Sequence, residues 1–134
     1  MNIEEVREIC MSIPEAEETQ CFGEDTVVFK VRGKMFAMLM FIPKYSRYVF
    51  LKCDPDYARL LRDSHLDVVE PAWHMNKRYW NMTDFGHPSV NADFIKHIVA
   101  HSYNEVLKKM PRSLRKGLSP LPDGKPETDD IALI

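Results

Sequence analysis

The pattern over residues 27–42 constrains the fold more than any other part of the chain. One strand phase holds Val27, Phe29 and Val31 and the other holds Val28, Lys30 and Arg32, and Arg32-Gly33 is a natural hairpin turn. The next stretch, 35–42, is apolar in both phases of a strand. Alternation predicts a strand with one buried face, whereas an apolar run in both phases predicts a central strand buried on both faces. The sequence therefore predicts an antiparallel hairpin at the centre of a sheet.

Further strands and helices are predicted on both sides of this hairpin. Asn2 with Glu5 resembles a capping box, and Asp54-Pro55 is typical of a helix start. The acidic stretch 15–24 is predicted to be irregular. The other predicted elements are a helix over about 3–12, a strand over 47–53, a helix over 54–64, short strands over 68–75 and 78–83 with a turn at Asn76-Lys77, a helix over 90–110 capped by Ser89, and one more turn over 112–118. We therefore predict an α+β fold with two layers, in which an antiparallel sheet of about five strands packs against helices.

The length of 134 residues suits one domain. We expect it to span 1–118, followed by a loosely ordered tail, 119–134, with three prolines and several acids. Cys10, Cys21 and Cys53 form no CxxC pair, which suits a reducing compartment. No apolar run is long enough to cross a bilayer, and the acidic start of the chain is unlike a secretory signal. These features predict a cytoplasmic protein with no membrane partner.

The net charge of −2 hides a strong asymmetry along the chain. Residues 1–29 carry one arginine and eight acids, whereas residues 30–80 carry ten cations and five acids. Such asymmetry predicts an electrostatic partner if folding gathers the cations on one face. The acidic N-terminal part is a candidate surface for a protein partner.

The residues that could act in catalysis or bind a metal lack the other residues of the corresponding motifs. His97 and His101 have the spacing of a metal-binding pair, but Ile98 stands where the glutamate of an H-E-x-x-H site would be. Both rings are expected on the polar half of the helix, as solvated histidines. Cys53 precedes a helix start, where Asp54 opposes the field that would activate its thiol. We therefore predict no enzyme activity, no cofactor and no metal.

The segment 71–80, P-A-W-H-M-N-K-R-Y-W, concentrates cations, aromatic rings, an amide and an imidazole. Lysine and arginine bind phosphates, while amides, imidazoles and aromatic rings can contact bases. The sequence leaves an alternative open, in which Trp73, Met75, Trp80 and Met82 belong to the core and the polar residues between them form a hairpin tip.

Two hairpin tips carry further cations. Lys30, Arg32 and Lys34 surround the first hairpin, and Lys44 and Arg47 lie at the next loop. Two such tips could straddle a duplex as wings, although exposed strand edges also carry lysine to deter aggregation. A third basic set lies at the end of the long helix, where cations stabilise the helix C-terminus through the helix dipole. It consists of Lys108, Lys109, Arg112, Arg115 and Lys116.

Several motifs, in this order, resemble the MmcQ/YjbR family over about residues 1–117. They are P-E-A-E-E (14–18), C-F-G (21–23), V-R-G-K-M-F-A (31–37), L-K-C-D-P (51–55), P-A-W-H-M-N-K-R-Y-W (71–80) and S-Y (102–103). The family more commonly has Tyr, Leu and His at Trp73, Met75 and Tyr79, and these changes keep the size and character of the side chains. The resemblance implies a CyaY-like α+β fold, similar to a "double wing" DNA-binding domain of a phage transcription factor.

Two functional hypotheses follow. In the first, the protein binds DNA mainly through the phosphate backbone. Its candidate residues are Lys30, Arg32, Lys34, Lys52, Lys77 and Arg78, with His74, Asn76 and Trp80 as secondary contacts. In the second, it is a protein- or small-ligand-binding module without catalysis, in which Trp73, His74 and Trp80 line a pocket. Strong salt dependence of binding would favour the first hypothesis.

Overall fold

A computed structural model describes residues 1–20 and 22–125. Cys21 and the last part of the predicted tail, 126–134, lie outside the described residues. The elements in chain order are α1 (Ile3–Met11), β1 (Ala16–Thr19), β2 (Thr26–Val31), β3 (Lys34–Met40), β4 (Tyr48–Lys52), α2 (Pro55–Ser64), β5 (Val69–Pro71), β6 (Trp80–Asp84), α3 (Ala92–Lys109) and α4 (Arg112–Arg115).

The strands form one antiparallel sheet in the order β1-β2-β3-β4-β6-β5. Val31 pairs with Lys34 across the predicted two-residue turn. Both turn residues have positive φ, 49° at Arg32 and 82° at Gly33. This is the type I′ geometry that matches the twist of paired strands. The predicted hairpin is confirmed.

One face of the sheet, which we call the helix face, packs against the helices. Phe29 and Leu39 project from this face into a core with Ile95 and Val99 of α3, and all four are at most 1% exposed. Ser102 of α3 fixes the packing distance, because its hydroxyl donates to the Phe36 carbonyl and accepts from the Lys52 amide. Dispersion contacts and apolar burial along this face hold the two layers together.

The opposite face, which we call the loop face, is covered by loops 41–47 and 72–79. Tyr45 and Trp73, one from each loop, stack with ring centroids 4.5 Å apart and 21° between their planes. Beneath them lie Val28 and Phe50, both fully buried. The two loops therefore close a second, smaller core on this side of the sheet.

The predicted α+β class and the antiparallel sheet on helices are confirmed, with six strands instead of about five. The extra strand is β1, so the prediction that this acidic stretch is irregular is wrong. Backbone pairing with β2 and the ion pair between Glu18 and Arg7 hold this polar edge strand. The predicted cap of the long helix is also wrong, since Asn91 and not Ser89 accepts from the Phe94 amide.

The capping box of Asn2 with Glu5 and the cap of Asp54 before Pro55 are confirmed. No helix in the described ranges has both the length and the apolar composition that crossing a membrane requires. The described part of the tail lies along α3: Asn104 exchanges hydrogen bonds with the Leu121 backbone, and the Tyr103 hydroxyl donates to the Ser119 carbonyl. The domain limit expected at residue 118 stays a prediction.

Candidate nucleic-acid interface

A row of side chains crosses the loop face at the end of the sheet that carries the β2–β3 hairpin. Lys30 of β2 pairs with Met35 of β3, and Lys52 of β4 pairs with Trp80 of β6. All four side chains are partly exposed. Because side chains alternate between the faces of a strand, two cations and two apolar groups lie on one surface. This part of the loop face is only partly covered, since Met35 and Trp80 pack against the core beneath the two loops and keep some exposed surface.

Next to this row, three lysines line a cleft between the sheet and the end of α3. Lys34, Lys52 and Lys109 surround a volume of about 240 Å³, whose other walls are Met35, Val106 and Met110. Burial lowers the pKa of Lys52, and the ammonium groups of Lys109 and Lys34 lower it further. Lys52 therefore lies within electrostatic range of both other lysines. We call this site the lysine cleft.

Tyr79 connects the lysine cleft to the segment predicted to bind nucleic acid. The Lys109 ammonium lies 4.1 Å from the centre of the Tyr79 ring, and the Arg78 guanidinium lies 5.6 Å from it. A cation over a ring face is attracted by the electron density of the ring. Tyr79 therefore holds two cations from different elements near one another.

We call the resulting surface the basic strip and define it by five cations: Lys30, Lys34, Lys52, Arg78 and Lys109. They come from β2, β3, β4, the loop before β6, and α3. Within residues 1–20 and 22–125, none of the five forms a salt bridge with an acid. Glu17 is the cross-strand neighbour of Lys30 and is the acid nearest to the strip in the sheet register. The cations of the strip are thus not held in ion pairs within the described residues, although Glu17 lies opposite Lys30 and Glu105 acts on the charge of Lys52.

Arg32 does not belong to the strip. Its guanidinium makes a bidentate pair with Glu15, at 3.0 and 2.8 Å, and donates to the carbonyls of Leu114 and Lys116. Those bonds use the donors that would hold a phosphate. Arg32 instead ties the hairpin to the segment after α3, so its predicted role in binding is not supported by its geometry.

The remaining candidates, His74, Asn76 and Lys77, lie in loop 72–79, where the side chains of His74 and Asn76 contact other residues of the loop. Asn76 builds the predicted turn, since its side chain accepts from the Arg78 amide and its carbonyl accepts from the Tyr79 amide. His74 has a positive φ of 59° and lies 3.9 Å from Trp73, centroid to centroid. Lys77 is exposed beside them. As nucleic-acid contacts, these three residues stay predictions.

The second predicted wing lies at the wrong end of the sheet. Successive hairpins of an antiparallel meander turn at opposite ends, so loop 41–47 is remote from the Arg32-Gly33 turn. Arg47 in that loop is paired with Asp84 at 2.9 Å. The segment that shares an end with the first hairpin is 72–79. The expectation that the tips at Arg32-Gly33 and at loop 41–47 lie side by side is therefore wrong, because loop 41–47 lies at the other end of the sheet.

The Trp/His pocket of the alternative hypothesis has little room at Trp73, whose indole stacks on Tyr45 and adjoins His74. The acidic N-terminal surface is partly used within the protein, because Glu15 pairs with Arg32 and Glu18 pairs with Arg7. Both interactions reduce the free surface for a partner. A ligand or protein partner at these places stays a prediction.

His101 is buried and not solvated as the sequence suggested. Its ring is 1% exposed, its Nε2 accepts from the Asp54 amide at 3.1 Å, and its Nδ1 lies 3.0 Å from Asp123. Burial lowers the pKa of His101, against the opposing effect of Asp123. The reason is long-range: the segment after α4 covers this side of α3. His97, four residues earlier, remains exposed.

The two described cysteines are buried thiols. Burial raises the pKa of Cys53, and the neighbouring charge of Asp54 raises it further. Burial also raises the pKa of Cys10, to about 12. Both groups stay protonated at neutral pH, which is the opposite of the activation that a nucleophilic cysteine requires.

These features define an α+β domain with a closed helix face and a basic strip at the end of the sheet that carries the β2–β3 hairpin. The YjbR family model matches residues 11–105. The chain is 33% identical over 116 residues to the YjbR protein of Escherichia coli strain K12, covering 87% of this chain and 96% of that protein. It is 26% identical over 117 residues to YbdF of Escherichia coli O157:H7, covering 87% and 93%. The chain belongs to the YjbR family.

Two crystal structures have the same fold. The DUF419-domain protein DR2400 of Deinococcus radiodurans superposes with a TM-score of 0.79 at 28% identity, covering 94% of this chain and 95% of that one. A protein from Pseudomonas syringae gives a TM-score of 0.67 at 22% identity, covering 79% and 99%. The family resemblance and the fold class predicted from the sequence are confirmed by these matches.

Proposed function

We propose that the protein binds DNA through the basic strip, mainly by contacts to the phosphate backbone. The observation that carries this proposal is the convergence of five cations from five places in the chain on one end of the sheet. Lysine and arginine that neutralise phosphates release condensed counterions, which drives binding. The strip provides that chemistry.

The surroundings of the cations support the proposal. The row from Lys30 to Trp80 alternates charged and apolar groups, so aliphatic and aromatic surface is available beside each ammonium for sugars and bases. Met35 lies between the lysines, and an unbranched thioether adapts its shape to varied partners. The proposal is one of binding without catalysis.

A titration with a labelled 20-base-pair duplex, followed by fluorescence anisotropy, tests the proposal. With about five phosphate contacts, the logarithm of the affinity should fall against the logarithm of the salt concentration with a slope, the salt slope, of about −4.5. Affinity then falls several-hundred-fold between 50 and 200 mM salt. Millimolar affinity at 50 mM salt would contradict DNA binding. So would tight binding that does not change with salt.

Charge reversal locates the site. The double variant Lys34→Glu/Lys109→Glu changes two exposed side chains and should weaken duplex binding by roughly fifty-fold or more at 100 mM salt, because two phosphate contacts are lost. The control Lys44→Glu/Lys96→Glu makes the same change in net charge away from the strip. Equal losses in both variants would show that net charge and not the strip determines binding.

A further inference from the structure

The lysine cleft differs from the rest of the basic strip in its shape. Lys30 and Arg78 do not line it, whereas Lys34, Lys52 and Lys109 all line one concavity between the sheet and α3. Lys52 is partly buried, and Lys34 and Lys109 are exposed at the rim. A group that enters the cleft thus lies beside three lysines from three elements.

The size of the cleft restricts its occupant. Its volume of about 240 Å³ lies below the range of about 300–1,000 Å³ typical of sites for whole small molecules. It suits a single charged group with part of its carrier. The walls of Met35, Val106 and Met110 are apolar and offer aliphatic contact to that carrier.

The charges of the cleft favour an anion with more than one negative charge. The lining residues include no carboxylate. Glu105 raises the pKa of Lys52 from a distance, but its carboxylate is paired with Lys108 at 2.9 Å. Three positive charges held together repel one another, and a dianion relieves this repulsion better than a monoanion.

We propose that the lysine cleft binds a phosphomonoester group. A monoester carries close to two negative charges at pH 7 and three terminal oxygens that accept hydrogen bonds, one for each lysine. A phosphodiester within a nucleic-acid strand carries one charge. The monoester can be the terminal phosphate of a strand, in which case the inference rests on the proposed function, or it can belong to a free phosphorylated sugar.

The test uses the full chain and two 12-nucleotide single strands of one sequence, labelled at the 3′ end. One carries a 5′-phosphate and the other a 5′-hydroxyl. We expect the phosphorylated strand to bind about tenfold tighter at 100 mM salt. The preference should fall below about twofold in Lys52→Gln and in Lys34→Gln/Lys109→Gln, and it should persist in Lys96→Gln, a cation roughly 20 Å along α3 from Lys109.

A second arm adds ribose 5-phosphate to the wild-type chain, to Lys34→Gln/Lys109→Gln and to Lys96→Gln and follows the side-chain resonances of Lys52 by NMR, with thermal melting as the check on folding. Saturable binding of ribose 5-phosphate that is lost in Lys34→Gln/Lys109→Gln supports the cleft even if neither the single strands nor the 20-base-pair duplex binds. Failure of all three nucleic acids to bind would remove the DNA proposal alone. Equal affinity for both strands without binding of ribose 5-phosphate overturns the cleft and leaves DNA binding intact. A preference that survives in both cleft variants also overturns it.

Discussion

The two faces of the sheet are closed in different ways. Three helices cover the helix face, and Phe29 at its centre is fully buried. The loop face is closed by two loops, where Tyr45 stacks on Trp73, and the row from Lys30 to Trp80 stays partly exposed. The difference predicts that stability and the proposed binding are separable in this fold. Substitutions on the helix face should change the free energy of unfolding, and substitutions on the partly exposed row should change affinity.

The largest expected effect is the loss of a helix-face side chain. Phe29→Ala should lower the free energy of unfolding by about 3–5 kcal/mol, because the cavity it leaves is enclosed by α3 and the sheet. Met35→Ala on the row from Lys30 to Trp80 should cost well under half as much, since Met35 is partly exposed. Urea denaturation measures both values. Equal losses would mean that the two faces do not differ in this way.

The next effect concerns the hydrogen bonds that join α3 to the sheet. Ser102→Ala leaves the Lys52 amide and the Phe36 carbonyl without their partner and should cost about 1–3 kcal/mol. Ser46→Ala is the matched control, because the Ser46 hydroxyl donates to the Pro43 carbonyl at the exposed surface. If both variants unfold at the same urea concentration, Ser102 does not link the two layers.

His101 gives the helix side of the molecule a dependence on pH. Its folded-state pKa is lowered by burial, so its stabilising contribution is complete above the unfolded value of about 6.5 and decreases as the pH falls toward the folded value. Asp54, Glu105, Asp123 and Lys125 are the charged groups around it.

Stability should therefore decrease below pH 6.5 with a slope of at most about 1.4 kcal/mol per pH unit. Urea midpoints between pH 5 and 7.5 measure this slope. The slope should persist in His97→Gln, whose ring is exposed, and flatten in His101→Gln. A wild-type midpoint that rises toward pH 5 would reverse the expected sign.

The smallest expected effect distinguishes Lys34 from Arg32, two cations of the β2–β3 hairpin, by their influence on duplex affinity and melting temperature. Lys34→Gln should reduce duplex affinity about eightfold at 100 mM salt, as expected for one phosphate contact, and leave the melting temperature unchanged. Arg32→Gln should lower the melting temperature, because it removes the bonds to Glu15 and to the carbonyls of Leu114 and Lys116. A loss of affinity in Arg32→Gln with unchanged melting would place Arg32 in the interface.

The parts of the fold that depend on local sequence could be predicted. The Arg32-Gly33 turn, the capping box at Asn2 and the start of α2 at Asp54 follow from residue types within a few positions of one another. Strand β1 could not be predicted, because its residues are polar and it exists through pairing with β2 and the contact of Glu18 with Arg7.

The candidate site could be predicted only in part, for the same reason. Lys30, Lys34, Lys52 and Arg78 were recognisable from their positions at strand ends and turns. For Lys109 the sequence predicts only an interaction with the helix dipole, since nothing near it in the sequence reveals that α3 ends beside Tyr79. The length of α3 and the direction of the hairpin, taken together, are the features that could have predicted Lys109 beside Tyr79.

The salt slope of duplex binding is the measurement that tests the basic strip most closely, because the slope counts the phosphate contacts. The wild-type chain should give about −4.5, and Lys34→Gln/Lys109→Gln should give about −2.7. Lys44→Gln/Lys96→Gln should stay at the wild-type value. A slope that is the same in both double variants would contradict the assignment of the strip as the DNA-binding surface.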